Sequence, residues 1–411
     1  MSAVNRNLIL IKCALIMACA GLLYSVSVFI KPLAAIHGWN VQSTAMVGSA
    51  MLLFWPLGIF AGGKILSMFG PKITTIIGSV MFGGGLILSA FVPSSQPWLI
   101  YVTYSAISGF GNGIAYNGAT FTAGSWFPEK TGFATGICIA VYGGASAFLA
   151  PLATKLILLI GVNLTLIGIG TAFCIIAIIA GLGLESPPDG YIPEGTKIGK
   201  SVELGADLES YTLKEAVKTK PFWLLQVATT FFPSVYLIMF PLFVIFCTEK
   251  GISLAIATLG VSIFSLASLA GRFILGSLQD KLGFKKVYTV CWFFTMLSVL
   301  LLIKGNSAPI ILLAYACIGF GFGPANCVYP YTTIHTFGPK FAGTIYGGVL
   351  LGFMVWTQVV PRISTILVNS SSGSYTASFT IAGILCTIAM VSMWFVQSVN
   401  RNKRVEKFAS N

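Results

Sequence analysis

Runs of about twenty apolar residues recur along the whole chain, and one such run is long enough to cross the hydrocarbon core of a bilayer as a helix. Twelve are legible, near 8–30, 44–66, 73–92, 97–125, 131–157, 163–184, 222–246, 253–278, 286–303, 308–335, 342–367 and 376–399. Composition agrees. Of 411 residues, 56% are hydrophobic and 9% charged, against about 25% charged in a soluble globular chain. So little charge cannot cover a water-facing surface, which argues against a soluble enzyme and against intrinsic disorder. The expected fold is an all-α integral membrane protein with twelve transmembrane helices in two six-helix bundles. The first run is too long for a cleaved signal and passes into a polar loop without a small-residue cleavage site.

Connections between the runs are short, with one exception. Residues 185–221 are polar and hold seven of the eleven acidic residues together with five lysines. They divide the chain into an N-terminal bundle (1–184), a linker (185–221) and a C-terminal bundle with its tail (222–411). A net charge of +13 would suggest nucleic acid on a soluble protein. Here the basic residues flank apolar runs, so they report orientation, and no nucleic-acid partner is expected. With both termini cytoplasmic, eighteen Lys and Arg lie on the inner side and four (Lys31, Lys155, Lys250, Lys304) on the outer side. Residues 211–220 read as a short amphipathic segment on the inner surface, and the basic stretch 401–404 as an inside-positive anchor. The nine cysteines show neither metal-ligand spacing nor a paired extracellular pattern.

The two halves repeat. Span four contains GFGNGIAYNGATFTAGSWFPEKTG from Gly109, and span ten contains GFGFGPANCVYPYTTIHTFGPKFAG from Gly319. An offset of 210 residues superposes Gly109, Gly111, Gly113, Ala115, Phe127 and Lys130 on Gly319, Gly321, Gly323, Ala325, Phe337 and Lys340. Two similar bundles facing each other imply a central site opened to each side in turn.

The loop GSLQDKLGFKK, 276–286, resembles the signature loop of the major facilitator superfamily, carried here by Gly276, Asp280, Lys281 and Gly283. Its first-half copy, 63–72, has Ser67 and Met68 where an Asp and a basic residue are usual. Span one (AGLLYSVSVFIKPLAAIHGWN), the end of span four (YNGATFTAGSWFPEKTGFATG) and span eight (SLAGRFILGSLQDKLG) together resemble the oxalate:formate antiporter family and its bacterial monocarboxylate transporters. That resemblance implies the two-bundle fold, a plasma-membrane location (the bacterial inner membrane), and transport of small carboxylates by exchange or with protons.

Arg272 is the most informative residue. It precedes Asp280, at the end of span eight, by eight positions. At 1.5 Å per residue it lies about 12 Å deep in a core about 30 Å thick. A cation there costs at least ~2.5–3.5 kcal/mol on insertion scales. None of the eleven carboxylates lies at mid-span to neutralise it, so an anionic substrate is the expected partner, held through two parallel hydrogen bonds. The resemblance places its carboxylate-binding arginine on the same residue. Ser265, Ser268 and Gln279 share or adjoin its helical face. Oxalate exchangers of the family are expected to carry a second cation in span eleven; residues 342–361 contain none, and Arg362 lies near the outer end of that span. One central cation suits a monoanion such as formate, acetate, lactate or pyruvate.

Polar side chains at matching depth complete the candidate site: Tyr24, Tyr116, Asn117, Tyr142, Asn326, Tyr329 and Tyr331, with Tyr346 a weaker member. The resemblance gives site roles to Tyr24, Tyr116 and Tyr142. The two histidines, His37 and His335, lie near span ends, so a transported proton would ride on the weak acid itself. A channel fits poorly with a two-half repeat. An enzyme would need a metal cluster, a nucleophile–base pair or a cofactor motif, and the chain offers none; no cofactor is expected. A sensor would need an output module that the 37-residue linker cannot hold. The sequence therefore reads as a monomeric carrier, with a small carboxylate and a proton as its partners.

Overall fold

The computed structural model describes residues 5–188, 191, 210–370 and 374–397. The acidic and basic residues between 192 and 209 and the basic stretch 401–404 lie outside the described residues. Among the described residues ten helices are long and apolar enough to cross a membrane. One of these lies within the helical stretch Val41–Ser89, which turns at Gly70 and so holds spans two and three. Span four, a π-helical stretch Tyr101–Ser108 continuing as Gly109–Trp126, lies outside the ten and completes the twelve.

Lipid-facing and interior positions are inverted relative to a soluble protein. Phe148 and Leu158 are 81% and 82% exposed, while Asn112, Asn117, Gln279 and Arg272 are buried. Apolar surface of this kind has no driving force to hide when acyl chains are the solvent.

The two signature-loop copies turn on glycine. Gly70 and Gly283 adopt φ of 76° and 80°, a left-handed region open to glycine without a Cβ penalty. They join span two to span three, and span eight (Leu254–Leu282) to span nine (Phe284–Lys304).

Four spans are broken near mid-length. Span one consists of Arg6–Ala20, a 3-10 turn Gly21–Ser25 and Ser27–His37. Span five divides into Thr131–Gly144 and Ser146–Ile160. Span seven divides into Lys220–Phe231 and Ser234–Glu249, with Pro233 at the break. Span eleven divides into Ala342–Val349 and Leu351–Ser370. Irregular backbone at membrane depth is tolerated where it borders a cavity, and these breaks surround one.

Inter-bundle packing is concentrated on the side where the linker leaves span six (Val162–Leu182) and enters span seven. There Thr131–Gly144 packs on span eight, and Ala342–Val349 packs on span two. The Asp280 carboxylate reaches from span eight to the N-terminus of span five, accepting from Gly132 N at 2.8 Å and Phe133 N at 2.9 Å. Asn117 Nδ2 donates to Ile59 O within its own bundle at 2.9 Å and to Gly343 O of the other at 2.8 Å. On the far side, among the described residues, one longer bond crosses, Gln358 Nε2 to Ser49 O at 3.4 Å. The linker side is therefore closed. In the linker itself a short helix, Leu213–Ala216, is capped by Thr212 and Glu215.

Candidate functional site: a cavity between the two bundles

A cavity of about 50 Å³ lies between the bundles and is lined from both. Arg272 is the only charged residue among its described lining residues. Span eight (Leu254–Leu282) carries it in mid-helix, 4% exposed. Its guanidinium lies against Gly143 of span five, in the space that a Cβ at that position would fill. Nε donates to Gly323 O of span ten at 3.4 Å, a long bond, and Cζ stands 5.9 Å from the centre of the Tyr24 ring. Among the described residues no carboxylate pairs with it. Ser268 and Gln279 are buried on the same helix, whereas Ser265 is exposed and bonds back to Val261 O.

The N-terminal bundle contributes an aromatic wall. Tyr24, Tyr142, Tyr116 and Trp55 follow one another edge to face, with ring centres 5.4, 5.1 and 5.2 Å apart. Edge-on contact places the positive rim of one ring on the negative face of the next. Asn112 anchors the wall: its Oδ1 accepts from Tyr142 OH at 2.8 Å, and its Nδ2 donates to Ala20 O at 2.7 Å, where span one breaks. The indole N–H of Trp55 is buried beside Tyr142 and makes no hydrogen bond of good geometry among the described residues. The C-terminal bundle contributes Tyr236, stacked on Phe322 at 3.8 Å, with Asn326, Tyr329 and Tyr346. Asn326 Nδ2 bonds back to Phe322 O at 3.2 Å, and Tyr329 OH lies 3.3 Å from Tyr288 OH.

Of the candidates named from sequence, Arg272, Tyr24, Tyr116, Tyr142, Asn326 and Tyr329 line this cavity together. Asn117 and Tyr331 are not among its lining residues. Asn117 is spent on the backbone contacts that close the linker side, and Tyr331 packs edge-on against His335 at 4.0 Å. Of the loop residues, Asp280 spans the bundle interface, Gly276 lies against Gly136 of span five, Gly283 makes the turn, and Lys281 is exposed. Arg362 is exposed, away from the cavity.

Trp55, Tyr236 and Asn112 had not been singled out. The repeat carries the signal for Tyr236, because an offset of 212 residues relates it to Tyr24. Similar offsets pair Tyr116 with Asn326 and Tyr142 with Phe353 across the cavity. Asn112 could have been found as the one large polar residue in the run GFGNG.

Comparison with known proteins agrees with this architecture. A sequence model of the Major Facilitator Superfamily matches residues 13–359 and 248–410. An uncharacterised transporter of that type from Escherichia coli (strain K12) is 26% identical over 359 residues, covering 85% of each chain. The oxalate:formate antiporter of Oxalobacter formigenes is 28% identical over 357 residues, 84% of this chain and 80% of that one. Monocarboxylate transporter 12 of Rattus norvegicus is 24% identical over 416 residues, 93% and 83% of the two chains. Among solved structures, the Escherichia coli fucose:proton symporter superposes with a TM-score of 0.73 at 11% identity, over 95% of this chain and 98% of that one. A human organic anion transporter gives 0.71 at 12% identity, over 95% and 100%. The chain belongs to the Major Facilitator Superfamily, as a multi-pass secondary transporter.

Proposed function

We propose that the carrier moves small monocarboxylates of the formate, acetate, lactate and pyruvate class by alternating access, in symport with a proton, and that Arg272 binds the carboxylate. The observation that carries this reading is the buried Arg272 guanidinium, which borders the cavity and has no carboxylate partner among the described residues. An uncompensated cation at membrane depth is stabilised most by an anion that arrives with the substrate. The single charge in the lining favours a monoanion, and a cavity of about 50 Å³, room for a few water molecules, favours a small one. Two relatives are named for oxalate:formate exchange and for monocarboxylates.

In the site, Arg272 would neutralise and orient the carboxylate, Tyr24 would face the guanidinium, and the Tyr116–Tyr142 wall would meet the apolar remainder. No Asp, Glu or His occurs among the described lining residues, so the proton would travel on the acid. That same feature favours a second reading, exchange of one anion for another. The domain division 1–184, 185–221 and 222–411, a monomeric state, a bacterial inner-membrane location and cytoplasmic termini belong to the same proposal. On that orientation the closed linker side is the cytoplasmic one.

Purified protein in liposomes, given labelled lactate or formate, tests the assignment. Uptake driven by an inward proton gradient with no internal anion supports symport, whereas uptake only after preloading with a monocarboxylate establishes exchange. Arg272→Ala should insert normally and lose uptake; wild-type rates in that variant would remove the site.

A further inference from the structure

Gln279 precedes the signature Asp280 and lies seven residues from Arg272. Seven residues are two helical turns, so both share one face of span eight, about 10.5 Å apart along the axis. The Gln279 side chain is 0% exposed, wedged between the bundles against Gly132 of span five. Beside it Gly276 meets Gly136 backbone to backbone. Among the described residues neither Oε1 nor Nε2 of Gln279 has a hydrogen-bond partner.

Buried amides left wholly unpaired are rare in native folds and disfavour the state that contains them by a factor on the order of ten or more. An interface serving only to pack would place an apolar side chain here, and the first-half repeat does so with Leu66, at an offset of 213 residues. The second inter-bundle crossing shows the same pattern. Asn117 Oδ1 and Thr344 Oγ1 are also buried there without partners among the described residues. These orphaned atoms lie on the linker side of Arg272, where the bundles must part for a substrate to leave.

We infer that Gln279 lines the pathway between Arg272 and the linker side, with its amide held dry in this conformation and paired with water or the passing carboxylate when that side opens. The inference rests on the alternating-access reading. It gives the closed linker side two opposed contributions on adjacent residues: Asp280 holds it shut through two backbone N–H groups, and Gln279 weakens it.

Hydrogen exchange on the full-length protein in nanodiscs reads this directly. The Gly132 and Phe133 amides are held by Asp280 while the linker side is closed and exchange when it opens. Gln279→Leu and Gln279→Met remove the orphaned atoms and keep the volume. Exchange in the 128–137 segment should slow by about tenfold in both variants, while segments within one bundle remain unchanged. Unchanged or faster exchange at 128–137 in both variants overturns the inference. Labelled formate uptake by the wild type is scored separately. Slowed exchange in a protein that moves no formate would sink the monocarboxylate assignment and still place Gln279 on the pathway.

Discussion

Alanine at position 143 tests whether the Arg272 guanidinium must lie where the structure places it. A Cβ added at Gly143 would overlap Arg272 Nη1 and stand 3.0 Å from Nη2. The arginine stem is flexible and the helix backbone is not, so the guanidinium would move by about 2 Å to recover an ordinary non-bonded separation of ~3.5 Å. Displacing a binding group by ~1 Å can cost on the order of a hundredfold. One charge-assisted hydrogen bond lost to the substrate is worth about 1.5–3 kcal/mol, which is roughly 10- to 150-fold in affinity. Gly143→Ala is therefore expected to raise the KM for labelled formate or lactate by about ten- to a hundredfold, with membrane insertion and thermal midpoint close to wild type. The adjacent Gly144→Ala is the control, since its Cβ would meet Leu269 Cδ1 at 2.8 Å and not the arginine. It perturbs the same helix and should keep a near-normal KM. A wild-type KM in Gly143→Ala, or equal damage from both alanines, would refute the argument that guanidinium placement carries binding.

Three further outcomes follow from other contacts. Asp280→Asn retains the shape but offers a single acceptor to two N–H donors, so exchange at Gly132 and Phe133 should quicken by about tenfold and the detergent-solubilised midpoint should fall; unaltered exchange would show that the carboxylate does not hold the linker side. Trp55→Phe keeps the ring against Tyr116 and deletes an N–H that reaches toward Tyr142 without a hydrogen bond of good geometry among the described residues. It should raise KM severalfold with little change in maximal rate, and an unchanged KM would leave that indole as wall alone. In competition assays formate, acetate and lactate should displace label better than oxalate or malonate, because one guanidinium neutralises one charge; stronger competition by oxalate would defeat the single-cation argument.

Hydropathy exposed the spans because lipid imposes a length on them, and the glycine-centred loop marked the turns because only a residue without Cβ adopts φ near 80° easily. The turn at Gly70 is so tight that two spans read as one continuous helix in the structure. Span four borders the cavity and carries Asn112, Tyr116 and Asn117, which dilute its hydropathy. Depth along a helix was legible, and azimuth was not. Arg272, Tyr24, Tyr116 and Tyr142 reached the cavity, while Asn117 turned to the backbone of Ile59 and Gly343. In span ten, Pro324 and Pro330 lie inside the helix and disturb a simple 100° count, so the facing of Tyr329 and Tyr331 could not be read from spacing. Trp55 resembled any aromatic residue in an apolar run until its neighbours were known.

The two bundles repeat in backbone but not in charge. At an offset of 213 residues Arg272 corresponds to Ile59, Gln279 to Leu66 and Asp280 to Ser67. Ser67 Oγ turns back to Lys64 O at 2.9 Å within its own segment, whereas Asp280 reaches across to span five. Span eight therefore holds the proposed substrate cation and the charged clasp of the linker side on one helix, eight residues or about 12 Å apart. The Arg272 guanidinium rests on span five at Gly143 and Asp280 grips span five at Gly132, so both charges act across the same helix pair. An anion drawn between the guanidinium and the opposite wall changes the forces on that pair without a longer relay. It shifts the equilibrium only by the difference between its affinities for the two states. About 1.4 kcal/mol of difference shifts it tenfold, an amount that one hydrogen bond to Arg272, made in one state and lost in the other, would supply.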